Sequence, residues 1–283
     1  MSVSYPRTIG PWDYVRISCM SHALDTLAHD IWGPVDGTPV VQLHGLTSSR
    51  ARDVALGLDL TAGQDDLRVL RYDARGHGRS PGPEHPAAYR WASLARDLEH
   101  VSDEFSPDAP VHVVGQSMGA ATILTSATAG RTYASMTLCI PPTAWELRGD
   151  RAGMYERSAQ FVEDHGLAAY AETTRAEPAP PARSTEVPFT MPDVPESLLP
   201  TVFRGAAGND LPSRERIAAL GERRIPTLIL AWIGDPAHPV AVAEELHALL
   251  PGSQLVTAYS PQDVARWPDT IGAFIHTAAK FRR

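Results

Sequence analysis

Apolar runs of about four to eight residues, separated by helical stretches, limit the folds open to this chain more than any single residue does. They read "PVVQLHG", "LRVLRYDARG", "VHVVGQS", "SMTLCIP", "TLILAWIG" and "SQLVTAYS". Near-continuous apolar character, rather than strict alternation, marks strands covered on both faces, which is the condition of a parallel sheet. Two earlier segments, "YVRISCM" and "DTLAHDIW", also read as strands, so the expectation is an eight-stranded, mostly parallel sheet. The helices between them have the right period: Trp91, Leu94, Leu98, Val101 and Phe105 in one, Val242, Leu246 and Leu249 in another. A last helix carries Trp267, Ile271, Phe274 and Ile275 on one face. Strands alternating with helices predict an α/β domain with helices on both faces of the sheet.

The stretch from Pro141 to about Pro212 interrupts this rhythm. It holds helical pieces such as "AGMYERSAQFVEDHGLAAYAE" and then the proline-rich "EPAPPARSTEVPFTMPDVPESLLP", with no buried strand. It is too long for a simple loop. The expected organisation is a core domain over 1–142 and 213–283 with a helical cap inserted at 143–212, above the carboxyl ends of the strands. The prolines read as a stiff, solvent-exposed connection. Phe161, Tyr170, Phe189, Met191 and Phe203 point either to a moderately apolar pocket or to the cap's own interior.

Charge excludes some partners. The net charge is −8 with no block of like sign, so neither nucleic acid nor an anionic membrane surface finds a basic footprint. The two cysteines, Cys19 and Cys139, sit in apolar runs and read as inert buried thiols; their spacing suits no metal site. No cofactor motif is present. The amino-terminal "MSVSYPRTIGPWDY" lacks the pattern of a secretion signal and no run would span a bilayer, which makes a cytoplasmic location the expectation.

Three strand ends carry chemistry. In "VHVVGQSMGA", a Gly-x-Ser-x-Gly turn joins an apolar strand to a helix of small residues, the setting of a strained nucleophile elbow that exposes Ser117. The N–H of Met118 is one expected oxyanion donor. "QLHGLTSSR" turns sharply at His44-Gly45, and the N–H of Leu46 is the second donor, although a His-Gly after a strand also serves as a plain turn. "YDARGHGRS" builds a tight neighbouring loop in which Asp73 and Ser80 fix the backbone. His77 receives no catalytic role.

These blocks, in this order and at these spacings, resemble the α/β-hydrolase superfamily over essentially the whole chain. "DARGHGRS" and "GQSMGA" are most similar to its branch of esterases, enol-lactonases, epoxide hydrolases, haloperoxidase-like proteins and carbon–carbon bond hydrolases. The resemblance implies a triad acid after the strand "TLILAWIG", which falls on Asp235, and a histidine after the last strand. That second place reads "QLVTAYSPQDVARWPDTIGAF" and holds no histidine; Tyr259, Ser260 and Gln262 occupy it instead.

A serine without a base loses about a million-fold in turnover, so another group is required or the reaction needs none. His238, three residues past Asp235, is the best substitute. So short a separation makes Asp235 a poor orienting acid for it, and Glu146 in "IPPTAWELR" becomes the alternative acid. His44 is a third candidate base. The resulting expectation is a serine hydrolase of small, moderately apolar carboxylic esters, thioesters or lactones with a degenerate or rearranged triad. The alternative is a non-hydrolytic lyase or a catalytically impaired ligand-binding protein on the same fold.

Overall fold

The computed structural model describes residues 23–176, 179–184 and 186–280. In chain order the elements are α1 (Ala23–Thr26), β1 (His29–Trp32), β2 (Thr38–Leu43), α2 (Arg50–Ala55), β3 (Leu67–Tyr72), α3 (Trp91–Phe105), β4 (His112–Gln116), α4 (Met118–Thr128) and β5 (Ser135–Cys139). The chain continues through α5 (Arg151–Arg175), α6 (Leu199–Ala207), α7 (Arg214–Glu222), β6 (Thr227–Trp232), α8 (Val240–Leu249), β7 (Gln254–Ala258), α9 (Pro261–Ala265) and α10 (Trp267–Lys280). Short 3-10 turns at Pro86–Tyr89 and Trp145–Arg148 complete the list.

The strands form one sheet in the order β1-β3-β2-β4-β5-β6-β7, with β1 antiparallel to β3 and every other pair parallel. The described residues therefore hold seven strands where eight were expected, because "YVRISCM", with Cys19, lies outside the described residues. "DTLAHDIW" divides into the end of α1 and the strand β1. Every other expected strand is present.

Alternation along each strand builds two cores. Val41, Leu43, Leu70, Val113, Leu138 and Ile229 point to one face, under α3, α4, α7 and α8. Their neighbours Val40, Val69, Val114, Leu228 and Leu230 point to the other, under α10 through Trp267, Ile271 and Ile275. Each fully buried Leu, Ile or Val contributes roughly 1.5–3 kcal/mol relative to exposure, so burial on both faces is what fixes the central strands. The order in which strands are added reverses about β2: β3 pairs on one side of it and β4 on the other. Ligands of open α/β sheets bind in the crevice at such a switch point, beyond the carboxyl ends of the strands.

The long connection between β5 and β6 is helical, as its composition predicts. α5, kinked at Gly166 where φ is 81°, packs with α6 into a third apolar cluster of Ala159, Val162, Val202 and Phe203, which also takes in Tyr89 and Leu198. Phe203 stacks near Tyr155 and Tyr170 inside this cluster, so it belongs to the segment's own interior, whereas Phe189 and Met191 are exposed. The proline-rich stretch differs from the expected solvent-exposed connection. Ala182 and Val194 are buried, Asp193 accepts from Ser49 Oγ (2.5 Å), and Arg52 donates to Thr190. Backbone bonds from Asp193 N to Thr47 O and from Gly78 N to Asp193 O tie the stretch to the loops after β2 and β3. Polar side chains on those loops supply the anchors that a proline count does not reveal. No helix among the described residues is long and apolar enough to cross a membrane.

Candidate active site

β4 ends at Gln116, and the next residue turns the chain into α4 within a single peptide unit. Ser117 has φ 49° and ψ −109°, a left-handed backbone that costs a non-glycine residue of order 1–3 kcal/mol. The turn is held from both sides: Ser117 N–H donates to Cys139 O (2.9 Å) and Ala121 N–H to Ser117 O (3.0 Å). The flanking glycines are steric requirements. A Cβ on Gly115 would lie 2.6 Å from the carbonyl carbon of Gly119, and one on Gly119 would lie 2.8 Å from Leu43.

The loop after β2 closes on this turn. Gly45 sits so near that a Cβ there would be 3.6 Å from Ser117 Cβ. Ser48 N–H donates to Gly45 O across a tight turn whose third residue, Thr47, has φ 60°. Leu46 is therefore carried beside Ser117, and Met118 occupies the first helical position of α4, where a backbone N–H has no intrahelical acceptor.

His44 braces this loop from behind. Its Nε2 accepts from Ala74 N–H (2.9 Å), which leaves Nδ1–H to donate to Gly45 O (2.7 Å). Burial lowers its pKa, so the ring is neutral, and with both nitrogens engaged it is not a base for Ser117. His77 is also neutral, its pKa pushed down to about 3 chiefly by burial. Asp73 and Ser80 hold the loop after β3 as expected: Asp73 accepts from Arg50 N (2.9 Å) and Arg79 N (3.0 Å), and Ser80 Oγ donates to Asp73 O (2.6 Å).

The loop after β6 brings up the remaining groups. His238 Nε2 lies 2.8 Å from Ser117 Oγ, and its Nδ1 lies 2.7 Å from Asp235 Oδ2. A carboxylate only accepts, so Nδ1 carries the proton and Nε2 is left to accept from the serine hydroxyl. The side chains of His238 and Asp235 are 18% and 10% exposed, leaving the pair shielded but reachable.

This arrangement corrects the expectation that Asp235 is too close in sequence to orient His238. His238 N–H donates to Asp235 O (3.1 Å), closing a turn that folds residues 235 and 238 back so that their side chains meet. Asp235 is itself fixed by Ala237 N–H on Oδ1 (2.8 Å) and by Trp232 Nε1–H on Oδ2 (2.9 Å). Burial opposes its ionisation, yet the hydrogen bond and charge of His238, with these two donors, hold the carboxyl below its usual range. The turn is pinned from outside by Thr143 N–H on Ala237 O (3.0 Å) and by Arg151 Nη2 on Pro236 O (2.7 Å).

Glu146 is likewise corrected as an alternative acid. It pairs with Arg214 (2.6 Å), with its side chain 77% exposed, and the carboxylate bonded to His238 is that of Asp235. At the end of β7, Tyr259 is 67% exposed, and Ser260 caps α9. Asp263 accepts from Tyr259 N, Ser260 N and Ser260 Oγ at 3.0, 3.0 and 2.8 Å, so neither candidate occupant is bonded to Ser117 or Asp235. His276 and His247 are taken up by Asp66 and Ser253.

Two contributors carried little signal in the sequence. Trp232 ends β6 three residues before Asp235, donates to it, and stands edge-on to the His238 ring at 6.4 Å. Asp53, in α2, is buried beneath the loop after β2 and accepts from Ser48 Oγ (2.5 Å) and Gln116 Nε2 (2.8 Å). Among the described residues no group of three or more His, Cys, Asp or Glu could hold a metal ion.

With the fold and this geometry in place, comparison with known proteins is informative. The alpha/beta hydrolase fold family model matches residues 38–261, and the chain belongs to that family. It is similar to a probable oxidoreductase EphD of Mycobacterium tuberculosis, 39% identical over 87 residues, which cover 31% of this chain and 14% of that protein. An sn-1-specific diacylglycerol lipase, ABHD11 of Danio rerio, is 34% identical over 102 residues, covering 36% of this chain and 31% of the lipase. The chain thus matches less than a third of the length of either of these curated relatives. Among solved structures, a hydrolase from Pseudomonas aeruginosa PA01 superposes with a TM-score of 0.70 at 23% identity, over 89% of this chain and 94% of the other. That likeness is one of fold.

Proposed function

We propose that the protein is a serine-nucleophile hydrolase of small carboxylic esters, thioesters or lactones. One observation carries the reading: the unbroken hydrogen-bonded line from Ser117 Oγ through His238 to Asp235, at 2.8 and 2.7 Å. In this reading Ser117 Oγ attacks the acyl carbonyl carbon while His238 Nε2 takes its proton. Asp235 holds the tautomer and balances the imidazolium charge. The N–H groups of Leu46 and Met118 receive the oxyanion, each donor worth about 10²–10³-fold in turnover. His238 then returns the proton to the departing alkoxide or thiolate, and water, deprotonated by the same ring, cleaves the acyl-serine.

The helical segment 143–212 serves in this reading as a cap that keeps bulk water from the acyl-enzyme. Leu46 packs against the apolar cluster built by α5 and α6, which places hydrocarbon next to the expected oxyanion site and favours a moderately apolar acyl or alcohol group. The chain's partial match to a lipase agrees with ester chemistry. The alignment of a candidate base with its carboxylate supports hydrolysis over a non-hydrolytic alternative in this reading.

The test is intact-mass labelling with diisopropyl fluorophosphate, which reports an activated serine whatever the natural substrate. One phosphoryl adduct is expected on the protein and none on Ser117→Ala. An unlabelled native protein, or an equally labelled variant, overturns the reading.

A further inference from the structure

A carboxyl group lies under the site with no cation among the described residues bonded to it. Asp53 is 2% exposed, and both of its side-chain hydrogen bonds, from Ser48 Oγ and Gln116 Nε2, fall on the same oxygen, Oδ1. The guanidinium of its neighbour Arg52 is turned away, donating to Thr190 and to Thr47 O. The other end of the same amide is unsatisfied: Gln116 Oε1 is buried and has no donor among the described residues. A buried acceptor without a donor is destabilising, and a buried carboxylate without a cation is more so. One proton on Asp53 Oδ2 relieves both, since a carboxylic acid and a primary amide can exchange two hydrogen bonds face to face.

We propose that Asp53 is held as a neutral carboxylic acid whose proton completes an acid–amide pair with Gln116, making it a positioning residue for the site. The placement gives the pair its leverage. Gln116 is the residue before Ser117, Ser48 follows the turn that carries Leu46, and a Cβ on Gly45 would lie 3.4 Å from Gln116 Nε2. Asp53 therefore joins the two backbone segments whose N–H groups, in the function proposed above, form the oxyanion site.

The electrostatics agree. Burial is the largest influence on Asp53 and raises its pKa to about 7, against the lowering effect of Ser48, Arg52 and Gln116. The charged groups acting on it are Arg52 on its own helix, which favours the carboxylate, and Asp59 in the loop after α2, which opposes it. The groups reaching it from β4 and from the loop after β2, Gln116 and Ser48, are neutral. Ionisation leaves Gln116 Oε1 without its donor and loosens the turn, so the competent form is the protonated one and competence declines as pH rises through about 7.

Three readouts on the native protein and on Asp53→Asn test this. Asparagine keeps the acceptor and replaces the O–H by an N–H, so it reproduces the pair without a titrating proton. Infrared difference spectra should show a protonated-carboxyl band in the native protein below about pH 6, absent from Asp53→Asn and lost above about pH 8. Amide resonances of Leu46 and Met118 should shift with that same midpoint in the native protein, and with none traceable to it in Asp53→Asn. The rate of diisopropyl fluorophosphate labelling should fall about tenfold across the transition in the native protein and lose that limb in Asp53→Asn. A carboxyl already ionised at pH 6, or Leu46 and Met118 resonances identical in pH response in the two proteins, overturns the proposal. Should Ser117 resist labelling at every pH while the band and the amides titrate together, the hydrolase reading fails and the acid–amide pair stands.

Discussion

The loops after β6 and β7 leave adjacent strands of one sheet and are built in opposite ways. After β6, Asp235 and His238 fold onto each other across a single turn, and the ring continues to Ser117. After β7, where the resemblance to the hydrolase superfamily leads one to look for a histidine, Ser260 and Asp263 form a reciprocal cap that closes the start of α9. One loop spends its polar groups on a hydrogen-bonded chain toward the serine, and the other spends them on its own backbone. The contrast teaches that a histidine can reach the serine hydroxyl from a different strand end, with the tautomer that the proposed function needs. Placing Asp235 and His238 on one loop also means that whatever pins that loop, here Thr143 and Arg151, positions both at once.

Substitutions in the two loops should separate these roles. Asp235→Asn removes the acceptor that holds the proton on His238 Nδ1, and is expected to lower kcat on short p-nitrophenyl esters by about 10⁴-fold, as loss of the correct tautomer does in serine triads. Trp232→Phe keeps an aromatic ring but deletes one charge-assisted hydrogen bond to the Asp235 carboxylate. At about 1.5–3 kcal/mol, that loss should cost roughly 10- to 100-fold in kcat with little change in KM. Ser260→Ala, in the other loop, should lower unfolding stability by about 1 kcal/mol through loss of the helix cap and leave turnover unaltered, as urea titration and steady-state rates will report. A turnover defect in Ser260→Ala would show that the β7 loop contributes to the site after all.

Much of the fold was readable because its signals are local and repeated. β2 through β6 are largely buried apolar runs, with β7 half-exposed at the sheet edge, and no other element accommodates several such runs with helices between them. Ser117, Gly115 and Gly119 were readable for the same reason, since a strained turn between strand and helix leaves a compositional mark. The partnership of Asp235 with His238 was not, because sequence separation says nothing about whether a turn folds two side chains together or splays them. Glu146 looked eligible only while Arg214, 68 residues away in the chain, was not known to hold it. Asp53 was silent for a further reason: an acidic residue in the first turn of a helix ordinarily signals an exposed partner for the helix dipole, and only the tertiary fold buries this one.

The measurement closest to the central claim is steady-state kinetics of His238→Ala, paired with its rate of diisopropyl fluorophosphate labelling. If His238 is the base for Ser117, kcat should fall by about 10⁴–10⁶-fold, KM should stay within about threefold, and labelling should slow in parallel with kcat. Labelling at the native rate, or a raised KM with kcat unchanged, would contradict the account and return the search for the proton acceptor to the rest of the site.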